Sequence, residues 1–207
     1  MPAEWLEIFS YRKVATGPNS GTLVMEAHHL ADQLYINHGG GRFIPVTDAE
    51  GRFRDHNGRP IHMPKDPSHE AAFSNVDGDG DPDLYVCSDF AWADRFWIND
   101  GRGRFRAVQR LAVRHTSRPS MGIDFADINR DGHDDFLVLA MLARQQARRL
   151  VHLDKEKPIP IVVGKFNDRP RYNRNTLLVS RGDGSWLEAA NYAGLEASDW
   201  SWAAAFM

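Results

Sequence analysis

One ten-residue block recurs three times without gaps, and it constrains the chain to a series of β-hairpins. It reads LYINHGGGRF from Leu34 to Phe43, FWINDGRGRF from Phe96 to Phe105, and LLVSRGDGSW from Leu177 to Trp186. Each copy is an apolar stretch, a turn with glycine at two fixed places, and an aromatic at the tenth position. Tight turns demand positive φ, which glycine adopts without steric cost. The closing aromatic is expected to resume the next strand on its buried side.

A second block alternates with the first. AAFSNVDGDGDPDLYV runs from Ala71 to Val86 and IDFADINRDGHDDFLV from Ile123 to Val138. Aligned on their loops, Phe73 matches Phe125 and Asp83–Leu84–Tyr85–Val86 matches Asp135–Phe136–Leu137–Val138. Each block reads as strand, nine-residue loop, strand. Together the two blocks give units of about four strands, the size of a β-propeller blade. The expected fold is therefore all-β, a partial propeller of about three blades, in repeat segments 1–70, 71–122 and 123–207.

The ends of the chain extend the pattern. Ala204–Ala205–Phe206–Met207 matches the approach Ala71–Ala72–Phe73–Ser74, and Glu7–Ile8–Phe9 resembles the loop exit Asp83–Leu84–Tyr85. A ring of three blades would expose sheet edges, so the chain reads as a fragment completed by further blades of a longer protein. Two insertions space the repeats unevenly, Thr47 to His69 and Leu142 to Asn175. Both read as surface loops, with a short helix expected in the Arg-rich part of the second.

The aspartate loops carry the chemistry. Counting Asn75 as position one, oxygen-bearing side chains fall at Asn75, Asp77, Asp79 and Asp83, with Gly80 at six and the main-chain carbonyl of Asp81 at seven. In the second loop the same places are Asp127, Asn129, Asp131 and Asp135, with Gly132 at six and the carbonyl of His133 at seven. Calcium takes six to eight hard oxygen ligands, and alternate residues of a tightly curled loop point inward. Glycine at six permits the sharp turn, and position nine closes the cage as a carboxylate. The early spacing resembles an EF-hand, but Val86 and Val138 stand where its twelfth-position Glu belongs, and the flanks are strands. Three crowded carboxylates per loop repel one another without a cation. A lone DGDGD would be only a polar turn; two loops in one register favour two calcium sites of structural role.

These residues resemble the FG-GAP/VCBS repeats of integrin α-subunit propellers and many bacterial surface proteins. SMGIDFADINRDGHDDFLV and ASDWSWAAAFM are more narrowly similar to bacterial relatives of cartilage acidic protein, which often carry an ASPIC/UnbV domain; no such domain is visible in this sequence. The resemblance implies a calcium-stabilised propeller at an extracellular, cell-surface or periplasmic location. It gives ligand roles to Asn75, Asp77, Asp79, Asp81 and Asp83, and to Asp127, Asn129, Asp131, His133 and Asp135. Asn75 and Asn129 depart from an all-Asp pattern but keep an oxygen donor.

Other chemistry finds less support. The net charge of −3 does not suit a nucleic-acid binder. No apolar run reaches the length of a membrane span, and MPAEWLEIF lacks the basic start and apolar stretch of a secretory signal. Cys87 is the only cysteine, which excludes an internal disulfide or a Cys-rich zinc site. His28, His29, His56, His62 and His69 show no ligand spacing and no HExxH. Gly39–Gly40–Gly41 is followed by Arg42–Phe43, as in a hairpin and unlike a phosphate loop. Arg144, Arg148 and Arg149 read as a solvated basic face. No GxSxG elbow accompanies the Ser, His and Asp present. The expectation is a non-enzymatic scaffold for a protein or glycan ligand at a cell surface. The alternative is part of a propeller enzyme acting on polysaccharides, with catalytic residues outside this chain.

Overall fold

Short apolar stretches bounded by glycine turns fold as the repeats require. The computed structural model describes residues 9–13, 23–27, 32–63, 66–89, 92–152 and 169–207. Glu7 and Ile8, matched above to a loop exit, lie outside the described residues, as does 153–168 of the second insertion. β1 (Phe9–Lys13) and β2 (Leu23–Ala27) form an antiparallel hairpin. β3 (Tyr35–Asn37) and β4 (Phe43–Pro45) form a second, which is the first copy of the ten-residue block. β5 (Phe53–Arg54) precedes an antiparallel meander of β6 (Ser68–Ser74), β7 (Asp83–Ser88), β8 (Arg95–Asn99) and β9 (Phe105–Ala107). After β10 (Thr116–Ser117) come β11 (Gly122–Ala126), β12 (Asp135–Leu139) and the short helix α1 (Gln146–His152). β13 (Arg171–Tyr172), β14 (Thr176–Ser180), β15 (Trp186–Glu188) and α2 (Ala190–Ala193) follow. β11, β12, β14 and β15 make the second meander. The fold is all-β and propeller-like, with two four-stranded blades among the described residues.

The core lies between these blades. Side chains alternate across a strand, so β7 sends Tyr85 and Cys87 to one face and Leu84 and Val86 to the other. All six β7 residues are buried because both faces are covered. Tyr85 and Cys87 join Phe96, Phe136, Val138, Leu178 and Trp186 in the inter-blade cluster. Phe136 is fully buried there, its ring centroid 5.3 Å from Tyr85, 5.4 Å from Phe96 and 5.2 Å from Phe125. Leu84 and Val86 pack instead with Phe53, Trp97 and Phe105.

Three expectations change, one being that the second insertion is a surface loop: its Leu142, Ala143, Arg169 and Asn175 are buried. The first insertion is only partly a surface loop. Its Phe53 is buried and stacks 5.5 Å from Phe105, and β5 runs parallel to β9. The N–H of Phe105 donates to the Arg52 carbonyl at 2.7 Å. An unpaired outer strand presents a row of such groups, and the insertion satisfies them. The closing aromatic is buried in Phe105 and Trp186, but Phe43 is 59% exposed. No other strand pairs with the β3–β4 hairpin among the described residues, so the face carrying Phe43 is left without cover.

Buried polar groups fasten the blade junction. The Asp94 carboxylate accepts from Tyr85 Oη at 2.8 Å, the Ser88 N–H at 2.9 Å and Ser120 Oγ at 2.7 Å. Tyr85 and Ser88 belong to β7, while Ser120 leads into β11, so one carboxylate spans both blades. Arg169, 2% exposed, donates to the carbonyls of Val108, Gln109 and Val113 at 2.9, 3.2 and 2.7 Å. It anchors the end of the second insertion against the inter-blade segment.

Burial pushes the Asp94 carboxyl up to about 7, against the opposing pull of the Ser88, Ser120 and Tyr85 hydrogen bonds and the Arg169 charge. The unfolded group ionises near 3.8, so the folded chain holds this proton more tightly. The stability contributed is complete below about pH 4 and is lost as pH rises through about 7. The melting temperature is therefore expected to fall between about pH 4 and about pH 7. Asp94→Asn, whose amide can donate to the same hydroxyls, should flatten that slope in pH-resolved thermal melts; an unchanged slope would exclude Asp94 as its source.

Candidate metal centre

Both aspartate loops close between paired residues. Ser74 faces Asp83 across β6 and β7, and Ala126 faces Asp135 across β11 and β12. Each nine-residue loop is thus the connection of a hairpin, held at the same register. At position six, Gly80 has φ +97° and Gly132 φ +88°, conformations that side chains rarely adopt. Position four is also left-handed in both loops: Gly78 at φ +78° and Arg130 at φ +62°. The second loop keeps the backbone of the first while placing there a residue that strains to adopt it.

The ninth-position aspartates are buried, Asp83 at 1% and Asp135 at 0% exposure. Their wiring is the same. Asp83 accepts the Val76 N–H at 3.0 Å on one oxygen and the Asn99 N–H at 2.8 Å on the other. Asp135 accepts the Ile128 N–H at 3.2 Å and the Ser180 N–H at 2.7 Å. One oxygen ties the start of the loop; the other ties the end of the third strand of the blade. Sequence reading assigned these residues to an ion and missed this second task. The available signal was the fourth place of the hairpin block, where Asn37, Asn99 and Ser180 are all small and polar.

The remaining positions line the turn. Asn75 Oδ1 accepts the Gly80 N–H at 3.1 Å, Asp77 Oδ1 that of Asp79 at 3.3 Å, and Asp79 Oδ1 that of Asp81 at 2.9 Å. In the second loop Asp127 accepts from Asp131 at 3.0 Å and Gly132 at 2.9 Å. Asn129 Oδ1 accepts from Asp131 at 3.0 Å, and Asp131 Oδ1 from His133 at 2.9 Å. Position seven turns away. A Cβ on Gly101 would stand 2.2 Å from Asp81 Oδ2, and one on Gly182 2.9 Å from His133 Nε2. Asp81 and His133 therefore lie over the first glycine of the following hairpin turn. This leaves their main-chain carbonyls, and not their side chains, for any ligand role.

The carboxylates sense one another. Burial pushes Asp83 up to about 6, with the charges of Asp77 and Asp79 adding to the rise. Partial burial, with the Asp79 charge adding, raises Asp77 as well. Asp135 is raised by burial, with Asp131 and Asp127 adding. The Asn129 amide and the His133 N–H hold Asp131 below the ordinary value. As placed, no three His, Cys, Asp or Glu side chains are gathered closely enough to hold a metal ion among the described residues. The donor set nonetheless fits a hard cation: three carboxylates, one amide oxygen and a main-chain carbonyl per loop, with no nitrogen or sulfur ligand required.

Repeated four-stranded meanders, each with an aspartate hairpin loop, define a propeller-like repeat protein. A family model described as an FG-GAP-like repeat matches residues 75–138, from the first position of one loop through the strand that follows the other. This stretch is thus similar to an FG-GAP-like repeat. No curated protein matches the chain.

Two substitutions test this local account. Arg130→Gly relieves a left-handed residue and is expected to raise stability by about 1 kcal/mol in denaturant unfolding. Gly101→Ala combines a strained φ of +69° with displacement of Asp81, whereas Gly40→Ala, at φ +58°, meets nothing within 4 Å. Gly101→Ala should therefore be the more destabilising of the two; equal losses would show that the Asp81 contact carries no weight.

Proposed function

We propose that this chain is a calcium-binding repeat module that acts as a non-enzymatic interaction or adhesion scaffold. Calcium would be held by Asn75, Asp77, Asp79 and Asp83 with the Asp81 carbonyl, and by Asp127, Asn129, Asp131 and Asp135 with the His133 carbonyl. The observation that carries the reading is the matched wiring of Asp83 and Asp135 in two loops of one register. Each loop is closed at the same point and leaves the other carboxylates along a turn that positive-φ backbone has already curled. A bound cation would relieve their mutual repulsion, so its binding free energy becomes folding free energy.

The resemblance to propeller repeats favours an extracellular, cell-surface or periplasmic setting and a protein or glycan partner. The net charge of −3 gives no support to nucleic acid. No helix among the described residues is long and apolar enough to cross a membrane.

The test is thermal unfolding in calcium and in a calcium chelator. A ligand at about a hundredfold over its dissociation constant stabilises by about 2.7 kcal/mol. For a chain of this size that corresponds to a rise of roughly 5–10 °C for each of the two ions. Asp79→Ala and Asp131→Ala should each remove at least half of the combined increment. A melt indifferent to calcium and chelator alike would overturn the proposal.

A further inference from the structure

The two loops are not separate in the fold. Ser74 Oγ donates a hydrogen bond to Asp134 Oδ2 across the blade junction. Ser74 is the last residue of β6, directly before Asn75, and it faces Asp83 in the sheet register. Asp134 occupies position eight of the second loop, between the His133 carbonyl and Asp135. Neither residue belongs to the proposed ligand set, yet each adjoins one. Both are half-buried, where such a bond is less exposed to competition from water.

This link is particular to the junction and not a product of the repeat. The residue aligned with Ser74 in the second block is Ala126, and the one aligned with Asp134 in the first is Pro82. Neither can make the same bond. β6 and β11 are joined once more, where the Ile123 N–H donates to Glu70 Oε2 at 3.0 Å. The Ser74 bond therefore connects two loop ends whose hairpins are also joined through Glu70.

We infer that the two loops bind calcium cooperatively, coupled through the Ser74–Asp134 hydrogen bond. The inference rests on the calcium reading above. An ion in the second loop orders positions seven to nine and so fixes Asp134. Asp134 in turn fixes Ser74 and the entry to the first loop. The second ion then meets a loop whose ordering cost has been partly met, which produces positive coupling without a large change of shape. Coupling is reciprocal: each ion must raise the affinity of the other by the same factor.

The experiment is calorimetric titration of the whole chain with calcium. Two ions are expected per chain, the second bound about fivefold more tightly than the first, at the low end of typical coupling. Asp79→Ala should lower the affinity of the second loop about fivefold, and Asp131→Ala should lower that of the first by the same factor. Ser74→Ala should leave two ions bound with independent affinities, and Ser74→Thr, which keeps a hydroxyl, should restore the coupling. Wild-type protein that binds no calcium overturns both this inference and the reading beneath it. Two ions bound independently or with weaker second binding overturn the coupling alone. Coupling that survives in Ser74→Ala overturns its assignment to this bond.

Discussion

The architecture depends on two buried carboxylates, each accepting main-chain N–H groups from two different segments. Asp83 and Asp135 close their loops and pin the end of the blade's third strand in one step. Asparagine at either place would offer one acceptor to two donors, and alanine would leave both N–H groups unsatisfied in a buried site. The ninth position is therefore an aspartate for reasons of folding before any ion is considered. The other loop carboxylates are different. They sit mostly exposed on a turn that glycine has already shaped, and their crowding is a cost that a cation would offset.

From that fixed point the packing follows. With the loop closed, Leu84 and Val86 face one side of the blade and Tyr85 and Cys87 the other. Both sides must be covered, so a single blade cannot be stable alone, and the aromatic cluster around Phe136 forms where two blades meet. Two of the charged groups caught at this meeting reach across it. Asp94 reaches Ser120, and Arg169 reaches back to the segment that joins the blades.

The hairpins and loops were legible because their geometry restricts residue type. Positive φ selects glycine, and its recurrence at fixed spacing survives even where Arg130 replaces one copy. The all-β fold and the FG-GAP-like character of 75–138 followed from that recurrence. The parallel pairings of β5 with β9 and β10 with β13 were not legible. They join distant segments through main-chain atoms and leave little trace in side-chain pattern. Arg169 falls in the insertion expected to be a surface loop, and nothing local distinguishes an arginine that will be buried against carbonyls. The exposure of Phe43 was likewise beyond reach. Its block matches the other two, and what differs is the neighbour, not the sequence.

Repetition of backbone does not make the two loops equivalent. In the second, the Asn129 amide donates to Asp131 at 2.9 Å and, together with the His133 N–H, favours its charged form. In the first, position three is Asp77, which adds a charge beside Asp79 and is itself raised above its ordinary value. Each loop carries three carboxylates and one amide, but the amide stands at position one in the first loop and at position three in the second. Position four adds a second difference, since Gly78 accepts its left-handed backbone freely while Arg130 does not. Both loops carry the electrostatic cost of crowded carboxylates, and the second adds backbone strain. A cation brought to the carboxylates would remove the first kind of cost and leave the strain at Arg130 in place. The Ser74–Asp134 bond places these unlike loops in contact across the blade junction.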